Sequence, residues 1–290
     1  MKNLDLSTLP AKKRKQIVSC LRAGIQLLYF LFLPSVFTAA FNGVKYIFTQ
    51  LGQGEKIEMT AFVSALLLVC AFTIVFGRFF CGFACAFGSL GDAMHAIYGI
   101  ICKKRKKKPR CIKPELAKKL ALVKYGILLL IALCCFAGVY QKARGTSPWD
   151  VFSMLHAGNF RLSSYIPGIV LLVLILVGMF FEERFFCRFL CPMGAVFSLL
   201  PILPFFTLHR KRENCIRGCS ACTRQCPSAV ELPSDGSVEI SGDCFQCQKC
   251  IDTCPKGNIR CGVKELQGNE ILFTLFRAVF LLTLLLWAGI

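Results

Sequence analysis

The chain has 290 residues, is 55% hydrophobic, and carries 35 lysines and arginines against 16 aspartates and glutamates, together with 19 cysteines. Hydrophobicity this high excludes a disordered chain, and apolar runs approaching 20 residues exclude an ordinary soluble domain. Short, regular cysteine spacings exclude a secreted disulfide scaffold, and the formal charge of +19 lacks the interleaved aromatics of a nucleic-acid surface.

Five apolar stretches, Ala23–Phe41, Ala61–Gly77, Leu120–Tyr140, Ile166–Phe181 and Ile271–Ile290, predict about five transmembrane helices. The first follows the basic run Lys12–Lys15 and exceeds a usual signal-peptide core, so it reads as an uncleaved anchor. The fourth is short and is extended by Tyr165 and by the aromatic run after Arg184. With the N-terminus in the cytoplasm, loops 42–60 and 141–165 fall outside and hold only Lys45, Lys56, Lys142, Arg144 and Arg161. The remaining basic residues, including the block Lys103–Lys108 with Arg110, then lie inside against anionic lipid, as the positive-inside rule requires. Lys124 and Arg277 fall near inner ends of spans, where long side chains are expected to snorkel to water.

A shift of 106 residues brings Arg78-Phe79-Phe80-Cys81-Gly82-Phe83-Ala84-Cys85-Ala86-Phe87-Gly88 onto Arg184-Phe185-Phe186-Cys187-Arg188-Phe189-Leu190-Cys191-Pro192-Met193-Gly194, with seven of eleven positions identical. Each copy follows an outside-to-inside span and precedes an apolar interfacial stretch, Ser89–Ile101 or Ala195–Phe206, so the halves form a parallel repeat. In a helix, the i,i+4 spacing would place both sulfurs of a pair on one face. Cys81, Cys85, Cys187 and Cys191 could then share a third iron–sulfur or other metal centre. Two redox-active dithiols and plain packing of small apolar side chains are the alternatives. Glu182 and Glu183 beside Arg184 read as an interfacial ion-pair cluster, or as a proton relay to a quinone.

After His209 the composition turns polar to about Asn269, and two cysteine runs follow: Cys215-x3-Cys219-x2-Cys222-x3-Cys226-Pro227 and Cys244-x2-Cys247-x2-Cys250-x3-Cys254-Pro255. The second matches the bacterial ferredoxin run, in which three thiolates on a tight loop hold three corners of a cubane and the fourth reaches the other cluster. This assigns Cys215, Cys219, Cys222 and Cys254 to one [4Fe-4S] cluster, and Cys244, Cys247, Cys250 and Cys226 to a second. Structural zinc is the alternative that the doubled four-cysteine run disfavours.

The double Arg-Phe-Phe-Cys-x3-Cys element, followed by a pair of four-cysteine runs, resembles the NapH/NosR-like polyferredoxin membrane proteins over roughly residues 17–262. The resemblance implies electron transfer between a membrane donor and a redox partner, often one on the outer face. The chain departs from that pattern at Ala86, where the family has proline, and in the apolar stretch after the ferredoxin run. The Asp-x-x-Thr-Gly-Ala-Thr-like flavin attachment motif of NosR-like relatives is absent from the sequence, so a flavin would come from another subunit.

Together these features give an α-helical integral membrane protein of the inner membrane with a parallel internal repeat and a small α+β 2[4Fe-4S] ferredoxin-like cytoplasmic domain. The expected order is a basic N-terminus (1–22), a first repeat (23–102), a basic loop (103–118), a second repeat (119–206), the ferredoxin domain (210–268) and a last helix (271–290). The expected activity is electron relay to a flavoprotein, quinone or reductase subunit. A membrane-bound iron–sulfur sensor or maturation factor is the reading from a different class. Lipid is the expected surrounding, and nucleic acid is not expected as a partner.

Overall fold

The first apolar stretch folds as two helices, α1 (Ala11–Phe32) and α2 (Val36–Gln53), which meet at 61°. Ala23–Phe41 is therefore not one straight span. Pro34 lies in the break, where its ring and missing amide N–H prevent the helix from continuing. The structure, a computed structural model, describes residues 11–107, 112, 114–140, 145–160, 163–203, 206–261 and 270–289. Lys108, Arg110, Lys142, Arg144 and Arg161 of the charge argument lie outside the described residues, as does Cys111.

Helix α3 (Ala61–Phe76) starts at Thr60, whose hydroxyl accepts the Val63 N–H. There follow α4 (Ala86–Lys104), α5 (Pro114–Leu120), α6 (Val123–Phe136), α7 (Pro148–His156), α8 (Ile166–Phe181), α9 (Pro192–Leu199) and, after a small domain, α12 (Glu270–Trp287). Helix α7 has Ser147 as its cap and Pro148 in its first turn, the position that needs no amide donor. Glu115–Phe136 and Ser163–Phe181 are long and apolar enough to cross a membrane, and the bent pair Gln16–Phe32 and Val36–Gln53 makes a third if it acts as one broken span. Ala61–Phe76 and Ile271–Trp287 are apolar but shorter. Sixteen residues of α3 rise about 24 Å against a hydrocarbon core of about 30 Å. Helix α8 leaves Ile166, Val170, Leu171, Val173, Leu174 and Val177 exposed, a surface suited to lipid tails rather than water.

The repeat in sequence is a repeat in structure. Helix α3 leads through a π-helical turn, Phe80–Ala84, into α4, and α8 leads through another, Phe186–Leu190, into α9. The second cysteine of each copy leaves the turn in extended conformation, at ψ 121° for Cys85 and 114° for Cys191, and heads the next helix. Neither Cys-x3-Cys segment is a regular α-helix. The copies sit around a core rich in phenylalanine, in which Phe37, Phe87, Trp149 and Phe186 pack together.

The small domain is built on β1 (Leu208–Lys211), β2 (Asp235–Val238) and β3 (Ile259–Cys261), an antiparallel sheet in the order β2-β1-β3. Short helices α10 (Ala221–Arg224) and α11 (Lys249–Thr253) carry parts of the two cysteine runs, over a core containing Leu208, Leu232, Ile251 and Ile259. The domain is held to the helical part by Arg22 to Asp252 at 3.2 Å, Lys124 to Asp243 at 2.6 Å, and an ion pair of Lys249 with Glu183. Lys124 and Arg277 are 2% and 0% exposed, so neither snorkels to water. Lys124 instead turns inward to Ser198 and Asp243. The Asp243 carboxylate that receives it is itself 51% exposed, so the pair lies where the buried lysine meets the edge of the small domain.

Candidate iron–sulfur sites

The two π-helical turns face each other and bring Cys81, Cys85, Cys187 and Cys191 into one buried electrostatic neighbourhood. Each outer cysteine sits at the start of a helix and its sulfur accepts an amide from the third residue onward: Gly88 for Cys85, and Gly194 for Cys191 at 3.2 Å. Amides at a helix start favour a thiolate over a thiol.

Around these thiols the arginines of the repeat cross over. Arg184 of the second copy donates to the Cys81 and Gly82 carbonyls of the first, and grips Asp92 with two bonds of 2.8 and 2.5 Å. Arg78 of the first copy reaches the second, donating to Ser198 at 3.2 Å and to the Gly242 carbonyl at 3.0 Å. Ser198 stands 106 residues after Asp92, so the repeat offers the same place for a partner in both halves. In the second half the carboxylate is Asp243 of the small domain, 3.5 Å from Arg78. The repeated glycines make room for this exchange. A Cβ on Gly88 would lie 2.5 Å from the Arg184 Nη1, and one on Gly194 would lie 3.0 Å from the Arg78 Nη2. Arg184 itself adopts a φ of 59°, an uncommon conformation for arginine, held by its clamp on Asp92 and two carbonyls.

In the small domain, Cys226, Cys244, Cys247 and Cys250 line one cavity together with Cys222, Phe245 and Lys249. Cys226 of the first run thus meets three cysteines of the second, and Cys222, expected in the other set, lines the same cavity. Burial pushes the thiols of Cys226, Cys244, Cys247 and Cys250 up from their ordinary range, and the neighbouring thiols push Cys250 further. Binding a metal-bearing group there would have to displace protons. The other set is joined at Asn258, whose backbone N–H donates to Cys254 and whose side chain donates to Cys215, both at 3.3 Å. Buried Arg210 donates to Cys222 at 3.1 Å and to the Leu232 carbonyl. Cys219 is half-buried after a turn from Ile216.

The cavity set abuts the membrane set. Phe245, between Cys244 and Cys247, lies under two guanidinium groups, 4.9 Å from that of Arg78 and 5.7 Å from that of Arg184. Its carbonyl rests on Gly82, where any Cβ would approach to 2.4 Å. Among the described residues, no three cysteine, histidine or acidic side chains converge tightly enough for a single metal ion. The ligands of a cubane stand farther apart than those of one ion, and donors aimed at the sulfurs, from Arg210, Asn258 and the helix-start amides, suit an anionic cluster. The residues present therefore fit iron–sulfur groups.

Glu182 and Glu183 form ion pairs, but not with Arg184. Glu182 pairs with Arg188 at 3.4 Å and accepts the Ile112 N–H, while Glu183 pairs with Lys249. Asp92, Gln26, Arg210 and Asn258 are site residues that the spacing of cysteines did not reveal. The one signal for the crossed pairs was the arginine and glycine retained at both ends of the eleven-residue repeat.

Clustered thiols, with cationic and amide donors around them and apolar helices beside them, define a membrane iron–sulfur protein of ferredoxin type. The chain matches the model of a family described as a 4Fe-4S binding domain over residues 59–109 and 166–207, the ranges that hold Cys81, Cys85, Cys187 and Cys191. It is 30% identical to protein MJ0749 of Methanocaldococcus jannaschii over 70% of this chain and 71% of that one. It is 30% identical to the methylamine utilization ferredoxin-type protein MauN of Paracoccus denitrificans, and 25% identical to the ferredoxin-type protein NapH of Haemophilus influenzae, each over 66% of this chain and 64% of the relative. No solved structure matches it. The chain belongs to the NapH/NosR-like family of polyferredoxin membrane proteins.

Proposed function

We propose that the protein relays single electrons at a membrane through three iron–sulfur groups. Two are [4Fe-4S] clusters, one held by Cys215, Cys219, Cys222 and Cys254 and the other by Cys226, Cys244, Cys247 and Cys250. The third is held by Cys81, Cys85, Cys187 and Cys191. Such groups, when bound, store and release one electron without bond chemistry. The chain's own residues fix the surroundings. Arg210 and Asn258 donate to sulfurs of the first set, the crossed arginines place positive charge beside the membrane thiols, and the helical part keeps water from them.

The observation that carries this reading is the seat of Phe245 between Arg78 and Arg184, with its carbonyl on Gly82. It puts the loop bearing Cys244 and Cys247 directly against the turn bearing Cys81, a contact that a relay needs and that separate structural sites do not. The small domain and the N-terminus belong on the cytoplasmic side of an inner membrane in this reading, and the partner is a flavoprotein, quinone or reductase subunit.

Anaerobically purified protein tests it. The parent should hold more than the roughly eight irons of two cubanes. Exchange of any one of Cys81, Cys85, Cys187 and Cys191 for serine should remove the same spectroscopic signal while two clusters persist. Stoichiometric zinc without broad visible absorption would exclude the clusters. Four variants with unaltered spectra would exclude the third centre, and a disulfide formed within a single pair would assign dithiol chemistry instead.

A further inference from the structure

The two arginines that open the repeat are not equivalent in the fold. Arg184 uses every guanidinium nitrogen, Nε and Nη2 on Asp92, Nη1 on the Cys81 carbonyl and Nη2 again on that of Gly82. Among the described residues Asp92 makes its ion pair with Arg184 alone, so this clamp is neutral as a unit. Arg78, 1% exposed, uses only Nη1, on Ser198 and the Gly242 carbonyl, and its buried Nε and Nη2 make no hydrogen bond of ordinary geometry among the described residues. Gly194 fixes where Nη2 lies. The point that a Cβ on Gly194 would occupy is 3.0 Å from Nη2, 3.0 Å from the Cys187 carbonyl oxygen and 3.3 Å from the Cys191 Cβ. An unspent donor thus sits at the second pair of membrane cysteines. The charge is unspent too. Asp243, 3.5 Å from Arg78, is 51% exposed and is held more closely, at 2.6 Å, by Lys124, which is 2% exposed. One carboxylate half in water therefore faces two buried cations, and the Phe245 ring, 4.9 Å away, offsets only part of the surplus. Four thiolates around an iron–sulfur group make an anion that suits both the free donor and the surplus charge.

We infer that Arg78, and not its counterpart Arg184, is the charge that sets the reduction potential of the site formed by Cys81, Cys85, Cys187 and Cys191. The inference rests on the third centre proposed above. It adds that two halves alike in their cysteines serve that centre unequally: the second half supplies a neutral clamp that holds the turn, and the first supplies the field. One-electron reduction adds negative charge at the site with no proton moved and no bond broken, so a surplus cation beside it favours the reduced form and raises the potential. Because Asp243 and Lys124 share that charge balance, the edge of the small domain takes part in tuning a site that lies in the helical part.

Potentiometric titration of the full-length protein in detergent, poised with dithionite and ferricyanide and followed by electron paramagnetic resonance, tests the assignment. The signal of this site is the one that Cys81→Ser removes. With iron content unchanged, Arg78→Met should lower the reduced-to-oxidised ratio of this site at a given potential at least tenfold, a fall of 59 mV for a one-electron couple. Arg78→Lys keeps the charge without the fork and should restore most of it. Asp243→Asn tests the sign: it removes the carboxylate that Arg78 shares, and the ratio should rise about threefold, less than the arginine effect because water screens a half-exposed group. A residue that only shapes the site would not move the potential in opposite directions in these two variants. Full iron with an unmoved potential in Arg78→Met, an Arg78→Lys potential as low as that of Arg78→Met, or an Asp243→Asn potential that stays or falls would each overturn the inference. If both Arg78 variants lose the iron of this site, Asp243→Asn decides by the same sign. A parent with no more than about eight irons and no signal sensitive to Cys81→Ser would defeat the third centre, and the inference with it.

Discussion

Asp92 is the residue whose loss should be felt most in the helical part. Its carboxylate receives both Nε and Nη2 of Arg184, and also the side chain of Gln26 at 2.7 Å, with the aspartate 14% and the arginine 1% exposed. Asp92→Leu leaves the guanidinium with the Cys81 and Gly82 carbonyls, which satisfy donors but not charge. At an effective dielectric of 20 a pair about 4 Å apart is worth about 4 kcal/mol, and removing one partner of a buried pair costs about 3–5 kcal/mol. The surviving carbonyls put the expected loss near 3 kcal/mol, a large fraction of a typical stability of about 5–15 kcal/mol. The double variant Asp92→Leu/Arg184→Met removes both charges and should recover about 2 kcal/mol of that loss. Urea unfolding in detergent micelles, read by tryptophan fluorescence, measures the parent, both single variants, Asp92→Leu and Arg184→Met, and the double. Burial pushes the Asp92 carboxyl up, yet the charge of Arg184, with Lys249 and the bonds from Arg184 and Gln26, holds it below the usual range. Its stabilisation is thus complete above the ordinary value of about 3.9 and is lost only as pH falls through the lowered one. A loss under 1 kcal/mol for Asp92→Leu, or a double variant equal to the sum of the singles, would refute the crossed clamp.

Labelling of Lys106→Cys in intact cells should fail from the outer face and succeed after the inner face is opened; outer labelling would invert the proposed orientation. Gly88→Ala should destabilise more than Gly194→Ala, by about 1–3 kcal/mol, because its Cβ meets Arg184 and the Cys81 carbonyl at 2.5 and 2.7 Å, whereas both nearest atoms at Gly194 stand at 3.0 Å. Equal thermal shifts would contradict that difference. Asn258→Ala removes one donor to the Cys215 sulfur, so the potential of that cluster should fall while the cavity site keeps its own. Redox titration of the two signals decides it.

The parts of this protein legible in its sequence are those fixed by local chemistry. Cysteine spacing alone anticipated that Cys226 would lie with Cys244, Cys247 and Cys250, but not that Cys222 would line the same cavity. Helix α8 occupies the same residues as the apolar stretch Ile166–Phe181, since nothing interrupts it. The bend after Phe32 was marked only by Pro34, inside a run whose hydrophobicity read as one span. Lys124 and Arg277 were misread for a different reason. Their inward direction depends on Asp243, Phe79 and Phe273, which approach from remote parts of the chain and leave no local pattern. The Arg184 to Asp92 clamp spans 92 residues and was likewise invisible, although the twice-used arginine and glycine pointed to a shared role.

The exchange of arginines between halves also sets a schedule for making the protein. At about 5–20 residues per second, a ribosome delivers Arg184 roughly 5–20 s after Arg78, which stands 106 positions earlier. Until then the first pair of cysteines has no clamp on its Cys81 and Gly82 carbonyls, and the first arginine has no Ser198 to reach. Phe245 comes later still and closes over both guanidinium groups. Synthesis therefore leaves an interval between emergence of the second half and seating of that ring, during which the four thiols can gather before Phe245 closes over the two arginines.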